Sequence, residues 1–331
     1  MLSKILRGTG PGVILIIIVT LILLWLSAFI DPEVQTAAVY ESHPMPLYGI
    51  TKLIIGTNVH IGVIFTFVVL IFVLFLLVNF NTSVFFIGER TFYPAVIYVL
   101  FSALLPFLQI LNPILPAIVF LMLAIKRIMG SYRKPGTAFN FFDAAFLIST
   151  GSLFYANLIW FGLLVFIGII LLRSGNLIEI TTSVIGLATP YIILFGIYYV
   201  IGQDIGSLIT DIDKNLFASS PEFSFSRIEI VILLYTGLMV LVSTVFLLKL
   251  IHTRKIKSRK TFYLLLWVFV ISVLIYFILP SASVELLWII AIPVTYILSH
   301  YFIFVRKKIM PEIILTGFFL LIFVVQAFKI F

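Results

Sequence analysis

The sequence predicts an all-α protein, a polytopic membrane helix bundle of about eleven transmembrane helices, and three observations predict it. Of 331 residues, 63% are apolar and only 10% are charged, against about 25% charged in a water-soluble domain. The apolar residues fall in long unbroken runs, without the two-residue alternation of a membrane β-barrel. The positive charges cluster between those runs, as they do in cytoplasmic loops. Soluble enzymes, disordered tails and nucleic-acid modules are excluded by the first observation. The absence of cysteine removes disulfides, iron-sulfur clusters, thiolate zinc sites and c-type haem.

The runs lie near 12–30, 59–80, 91–110, 113–128, 139–155, 157–172, 177–201, 227–250, 261–279, 284–305 and 311–328. Lys4 and Arg7 precede the first, and Ser27-Ala28 has the small residues of a cleavage site. Its apolar stretch exceeds a signal core of about 7 to 15 residues, so it reads as an uncleaved span. Residues 139–172 are short for two crossings and are read as a hairpin turning near Ala156-Asn157, made of short or tilted helices or a paired re-entrant dip. Merging them would place the basic run Lys249 to Lys260 outside, against the charge bias. With the N-terminus cytoplasmic, eleven spans put four basic clusters inside and the C-terminus outside. The clusters are Lys4 and Arg7; Lys126, Arg127, Arg133 and Lys134; Lys249 to Lys260; and Arg306 to Lys308. The net charge of +8 then divides into +13 inside and −5 outside, so it is a topology signal rather than a sign of nucleic-acid binding.

Residues 1–331 read as one integral membrane domain. Its two sizeable external loops, 31–58 and 202–226, mix apolar and polar residues and are expected to lie on the membrane surface as amphipathic segments. Asn140 with Asp143, Asn176 with Glu179 and Ser226 with Glu229 have capping-box spacing. Glu285 and Glu312 fall in first turns. No acidic or basic residue sits near the centre of a span, which lowers the case for an ion-coupled transporter. Pro94, Pro106, Pro116, Pro190 and Pro293 can kink or break helices. Ala145, Ser149, Ser152 and Ala156 form a small-residue stripe suited to close packing in lipid.

No GxSxG, Walker loop, HExxH or GxGxxG is present, and no cofactor is evident. The candidate constellation lies in the outer loops: Asp31 and Glu33 as catalytic acids, with Glu41, His43, Asp204, Asp211 and Asp213 as binding residues. Such acids can act as general base toward a lipid-linked substrate or bind a divalent cation. Asp31-Pro32-Glu33, emerging directly from the first span, resembles the acidic pair of GT-C type membrane glycosyltransferases.

Residues from about 90 to 200 resemble a bacterial domain-of-unknown-function family of polytopic inner-membrane proteins. The resemblance rests on Leu123-Ala124-Ile125-Lys126-Arg127-Ile128, Phe142-Asp143-Ala144-Ala145-Phe146 and Ser152-Leu153-Phe154-Tyr155. It implies a multi-pass protein of the cell inner membrane and no established activity, and it directs attention to Lys126, Arg127 and Asp143 as a structural cluster at the cytoplasmic face.

Three functions are open at this stage. The first is an envelope-biogenesis protein handling a lipid-linked or glycan substrate at the outer face. The second is a non-enzymatic membrane subunit or scaffold for partner membrane proteins, and the third a transporter of an uncharged or lipid-like solute. In all three the partner is the lipid bilayer and not nucleic acid.

Overall fold

The computed structural model describes residues 8, 10–32, 39–134, 136–173, 177–219, 225–306 and 309–330, and every regular element among them is helical. Seven helices are long and apolar enough to cross a bilayer: α1 (Pro11–Ile30), α4 (Val59–Val84), α9 (Leu177–Ile201), α11 (Arg227–Leu250), α12 (Ile256–Ile278), α13 (Leu287–Phe304, entered by a 3-10 turn Val284–Leu286) and α14 (Ile309–Ile330). At the ends of the long helices lie α2 (Val39–Ser42), α3 (Pro46–Ile55) and α10 (Ile205–Phe217). Two hairpins of shorter helices complete the bundle, α5 (Tyr93–Ser102) with α6 (Ile114–Gly130), and α7 (Ala138–Ser152) with α8 (Gly162–Arg173).

The first hairpin corrects the expected continuous span over 91–110. Helix α5 has ten residues, about 15 Å and half the hydrocarbon thickness. Pro106 has no N–H to continue the ladder, and Ser102 Oγ turns back to donate to the Val99 carbonyl at 2.7 Å. Irregular backbone survives at membrane depth only when protein satisfies it, and here two distant helices do so. Gln326 of α14 donates to the Ala103 carbonyl at 2.9 Å. Thr66 of α4 donates to the Ile110 carbonyl at 3.2 Å, and Gln109 anchors the tip by donating to the Leu24 carbonyl of α1 at 3.1 Å.

The second hairpin breaks after Ser152, whose hydroxyl caps Ser149 O at 2.7 Å and meets the Tyr191 hydroxyl at 2.8 Å. The small-residue stripe is consumed inside the chain. Ser149 Oγ donates to the Leu187 carbonyl at 2.6 Å, and a Cβ on Gly186 would stand 2.6 Å from the Phe142 carbonyl oxygen. Helices α7 and α9 therefore touch backbone to backbone, as small residues permit in lipid.

Helix α13 is the central mast, with 89% of its span buried. Its Tyr296 hydroxyl donates to Leu77 O of α4 at 2.8 Å, and its Trp288 carbonyl accepts from Tyr98 of α5 at 3.1 Å. Near their C-terminal ends α1 and α14 meet where Ser27 Oγ donates to Gln326 Oε1 at 2.6 Å.

The expected Asn140–Asp143 cap is not formed. Helix α7 starts earlier, at Ala138, and the Thr137 hydroxyl donates to Glu179 at 2.9 Å instead. The Ser226–Glu229 capping box is present, whereas Asn176 lies outside the described residues.

Candidate functional site

At the end of the bundle where α1 stops and α4 begins, α3 and α10 lie over the tips of both hairpins. Helix α3 opens at Pro46, suited to a first turn, and stops at Gly56, whose φ of 72° is in the left-handed region. Tyr48 on α3 is fully buried against Leu111 and Phe154, one residue from each hairpin tip. Leu53 and Ile54 are 84% and 81% exposed on another face of the helix, the pattern of a helix that presents apolar side chains to the membrane interface. Helix α10 begins at Asp204, whose carboxylate accepts from the Gly206 and Ser207 amides at 2.9 and 3.0 Å, and it buries Leu208.

His43 joins the two loops. One ring nitrogen, Nδ1, lies 2.9 Å from Asp211 Oδ1, and the other, Nε2, lies 3.2 Å from Lys214 Nζ. A lysine ammonium only donates, so Nε2 accepts and the proton resides on Nδ1, where it is donated to Asp211. Asn215 Nδ2 adds a bond to the His43 carbonyl at 2.6 Å. Beside this clasp Glu41 accepts from Tyr48 at 2.8 Å through Oε1 and from Lys52 at 2.6 Å through Oε2.

Beneath the two helices is a second carboxylate. Glu285 is 3% exposed, and its charge reaches both the Tyr48 and the Tyr155 hydroxyls. Burial, then the Glu41 carboxylate and its hydrogen bond, then Glu285, raise the Tyr48 phenol far above its ordinary range, so at neutral pH it keeps its proton and serves as a hydrogen-bond donor. Asn157 of the second tip and Ser281 exchange hydrogen bonds at 3.2 and 3.3 Å, and Ser281 donates to Leu216 O of α10 at 2.6 Å. The arrangement is thus a carboxylate and a tyrosine shielded from water, roofed by an ion-paired latch.

The sequence-nominated residues divide accordingly. Glu41, His43 and Asp211 come together in the roof. Asp204 is a helix cap and, with Asp213, is exposed. Asp31 is exposed where α1 ends, its amide bonded to Ser27 O at 2.9 Å, and Glu33 lies outside the described residues. Lys126 and Arg127 on α6 and Asp143 on α7 lie at the ends of the two hairpins away from their tips, where Arg127 Nε lies 3.6 Å from Asp143 Oδ2, both about half exposed. Among the described residues no group of three His, Asp or Glu side chains could hold a metal ion. Sequence reasoning missed Tyr48, Lys52, Asn157, Ser281 and the burial of Glu285. The one local signal was an acid set among Val284, Leu286 and Leu287 with no basic residue nearby.

No curated protein matches the chain, and no solved structure does. The model of a family of unknown function, DUF6427, matches residues 44–331, which contain Tyr48, Asp211 and Glu285 but begin after Glu41 and His43. That match spans well over half of the chain, and the protein belongs to this family.

Proposed function

We propose that the protein is a multi-pass inner-membrane protein of cell-envelope biogenesis that handles a lipid-linked or glycan substrate at its outer face. The observation that carries this reading is Glu285, a carboxylate buried beside Tyr48 and Tyr155 under two loop helices at one end of the bundle. A carboxylate shielded from water suits general acid–base chemistry on a hydroxyl or phosphoryl group, and Tyr48, held protonated and bonded to Glu41, fixes α3 over it. Asp31, exposed where α1 ends at the same face, is the alternative acid, together with Glu33 two residues on in the sequence. With the N-terminus cytoplasmic, seven long helices crossing once each and two hairpins that each return the chain to the side they left make this face external.

The scaffold reading loses its main support, because the small-residue stripe is occupied by α9. The transporter reading loses some as well, because carbonyls of the irregular backbone on either side of Pro106 are bonded by Thr66 and Gln326, and Gln109 ties that segment to α1.

The test compares lipid-linked glycans in cells lacking the protein and in cells complemented with Glu285→Gln, Tyr48→Phe, Asp31→Ala or Glu33→Ala. Glu285→Gln is expected to lower turnover by about 10²- to 10⁴-fold, the usual worth of a general acid or base, at unchanged membrane abundance. A wild-type glycan profile in all four variants would sink the proposal.

A further inference from the structure

A slot of about 280 Å³ lies between α11 and α12, floored by the start of α13. Phe225, Leu233, Val273, Tyr276, Phe277, Val284, Leu287 and Ile290 line it, all of them apolar but for one phenol. It runs from Phe225, just above the first turn of α11, down to Leu233 two turns below, about 10 Å along the helix. Its rims continue the lipid-facing surface without a polar break: Leu234 and Leu238 on α11 are 63% and 64% exposed, and Phe277 and Ile278 on α12 are 79% and 68% exposed.

The 3-10 turn Val284–Leu286 is the wall between this slot and the acidic cluster. Val284 and Leu287 face the slot, while Glu285 between them is buried and its charge acts on the Tyr48 and Tyr155 hydroxyls. An apolar recess of this size holds no water, and an empty one forfeits the contacts of its lining atoms. At this depth the material in contact with its open side is hydrocarbon.

We infer that the slot binds one acyl chain of a bilayer phospholipid, holding the lipid's head at the interface beside the Glu285 wall. The inference rests on the outer-face reading only for which leaflet supplies the lipid. Full-length protein reconstituted in vesicles of phosphatidylethanolamine and phosphatidylglycerol, then re-extracted in mild detergent, is weighed intact by native mass spectrometry. Wild type is expected to retain one phospholipid per chain. Leu233→Trp, which fills the slot, is expected to cut retention at least tenfold, and Leu241→Trp, on the exposed face of the same helix, to leave it unchanged. Should Leu233→Trp fail to fold, Val273→Trp from the facing helix reads the same volume. Equal retention in wild type and in a folded slot-filling variant would overturn the inference, as would exclusive retention of a polyprenyl phosphate offered in competition. Glu285→Gln is expected to keep the lipid, so loss of the chemistry and loss of the chain site are read separately.

Discussion

His43 and His300 contrast how one residue type behaves in two settings. His43 is half-exposed and bonded at both ring nitrogens, to Asp211 and Lys214, so its ring tautomer is set by its neighbours. His300 is fully buried on α13 with its ring 4.9 Å from Phe304, 5.2 Å from Phe262 and 6.1 Å from Phe246. Among the described residues neither of its nitrogens has a hydrogen-bond partner. A buried polar group left unbonded costs about 1–3 kcal/mol, so His300→Phe, which keeps the ring and removes the polar atoms, is expected to raise the thermal midpoint of the detergent-solubilised protein. A fall in the midpoint would mean that His300 serves a bonding role. Above it Arg254 spreads its guanidinium 3.7 Å from the Phe304 ring centroid; burial lowers its pKa and the nearby Glu89 carboxylate opposes that shift. Arg254 works there as a flat stacking cation, a part a lysine ammonium cannot play.

At the scale of elements, the close α7–α9 contact is fixed by one glycine and leaves another on the same helix free. Gly186→Ala would drive a Cβ to 2.6 Å from the Phe142 carbonyl oxygen and 3.0 Å from the Ala145 Cβ, whereas a Cβ on Gly196 meets nothing within 4 Å. The first is expected to destabilise by about 1–3 kcal/mol through overpacking. The second is expected to be neutral or to stabilise by up to about 1 kcal/mol through helix propensity. Equal melting shifts for the two would refute backbone contact between these helices. The stripe Ala145, Ser149 and Ser152 was legible from spacing alone because packing in lipid needs small residues at that period. Its partner was not, since Gly186 and Leu187 carry no local mark of the contact. The same limit governs the first hairpin: Pro106 announces a break, but the Gln109 to Gln326 bond at 3.3 Å that holds it joins residues 217 apart. The site follows suit. Glu41, His43 and Asp211 were readable as loop acids and a histidine, while Tyr48 and Glu285 come together only when α3 folds over the hairpin tips.

For the whole molecule, the side on which each end of the chain emerges depends on the parity of crossings, and parity does not depend on how deeply the hairpins penetrate. A hairpin returns the chain to the side from which it came, whether it crosses twice or dips and retreats, so only the seven long helices decide. Seven is odd, so the first and last described helices are expected to end the chain on opposite sides. The contact between α1 and α14 agrees: Ser27 and Gln326, bonded at 2.6 Å, each sit about one turn from the C-terminal end of their helix, so the first and last spans run in the same direction. Direction in the membrane is then expected to follow charge, with the basic residues between 126 and 134 and between 249 and 260 on the cytoplasmic side. Because the chain has no cysteine, introduced thiols report their side without background. In intact cells a membrane-impermeant maleimide is expected to label Asp213→Cys and Lys329→Cys, and to label Gly10→Cys and Lys134→Cys only after permeabilisation. Labelling of Gly10→Cys and Lys329→Cys from the same side would break the parity argument. The exact reverse of the expected pattern would keep the parity and turn the molecule over, placing the covered Glu285 cluster on the cytoplasmic face.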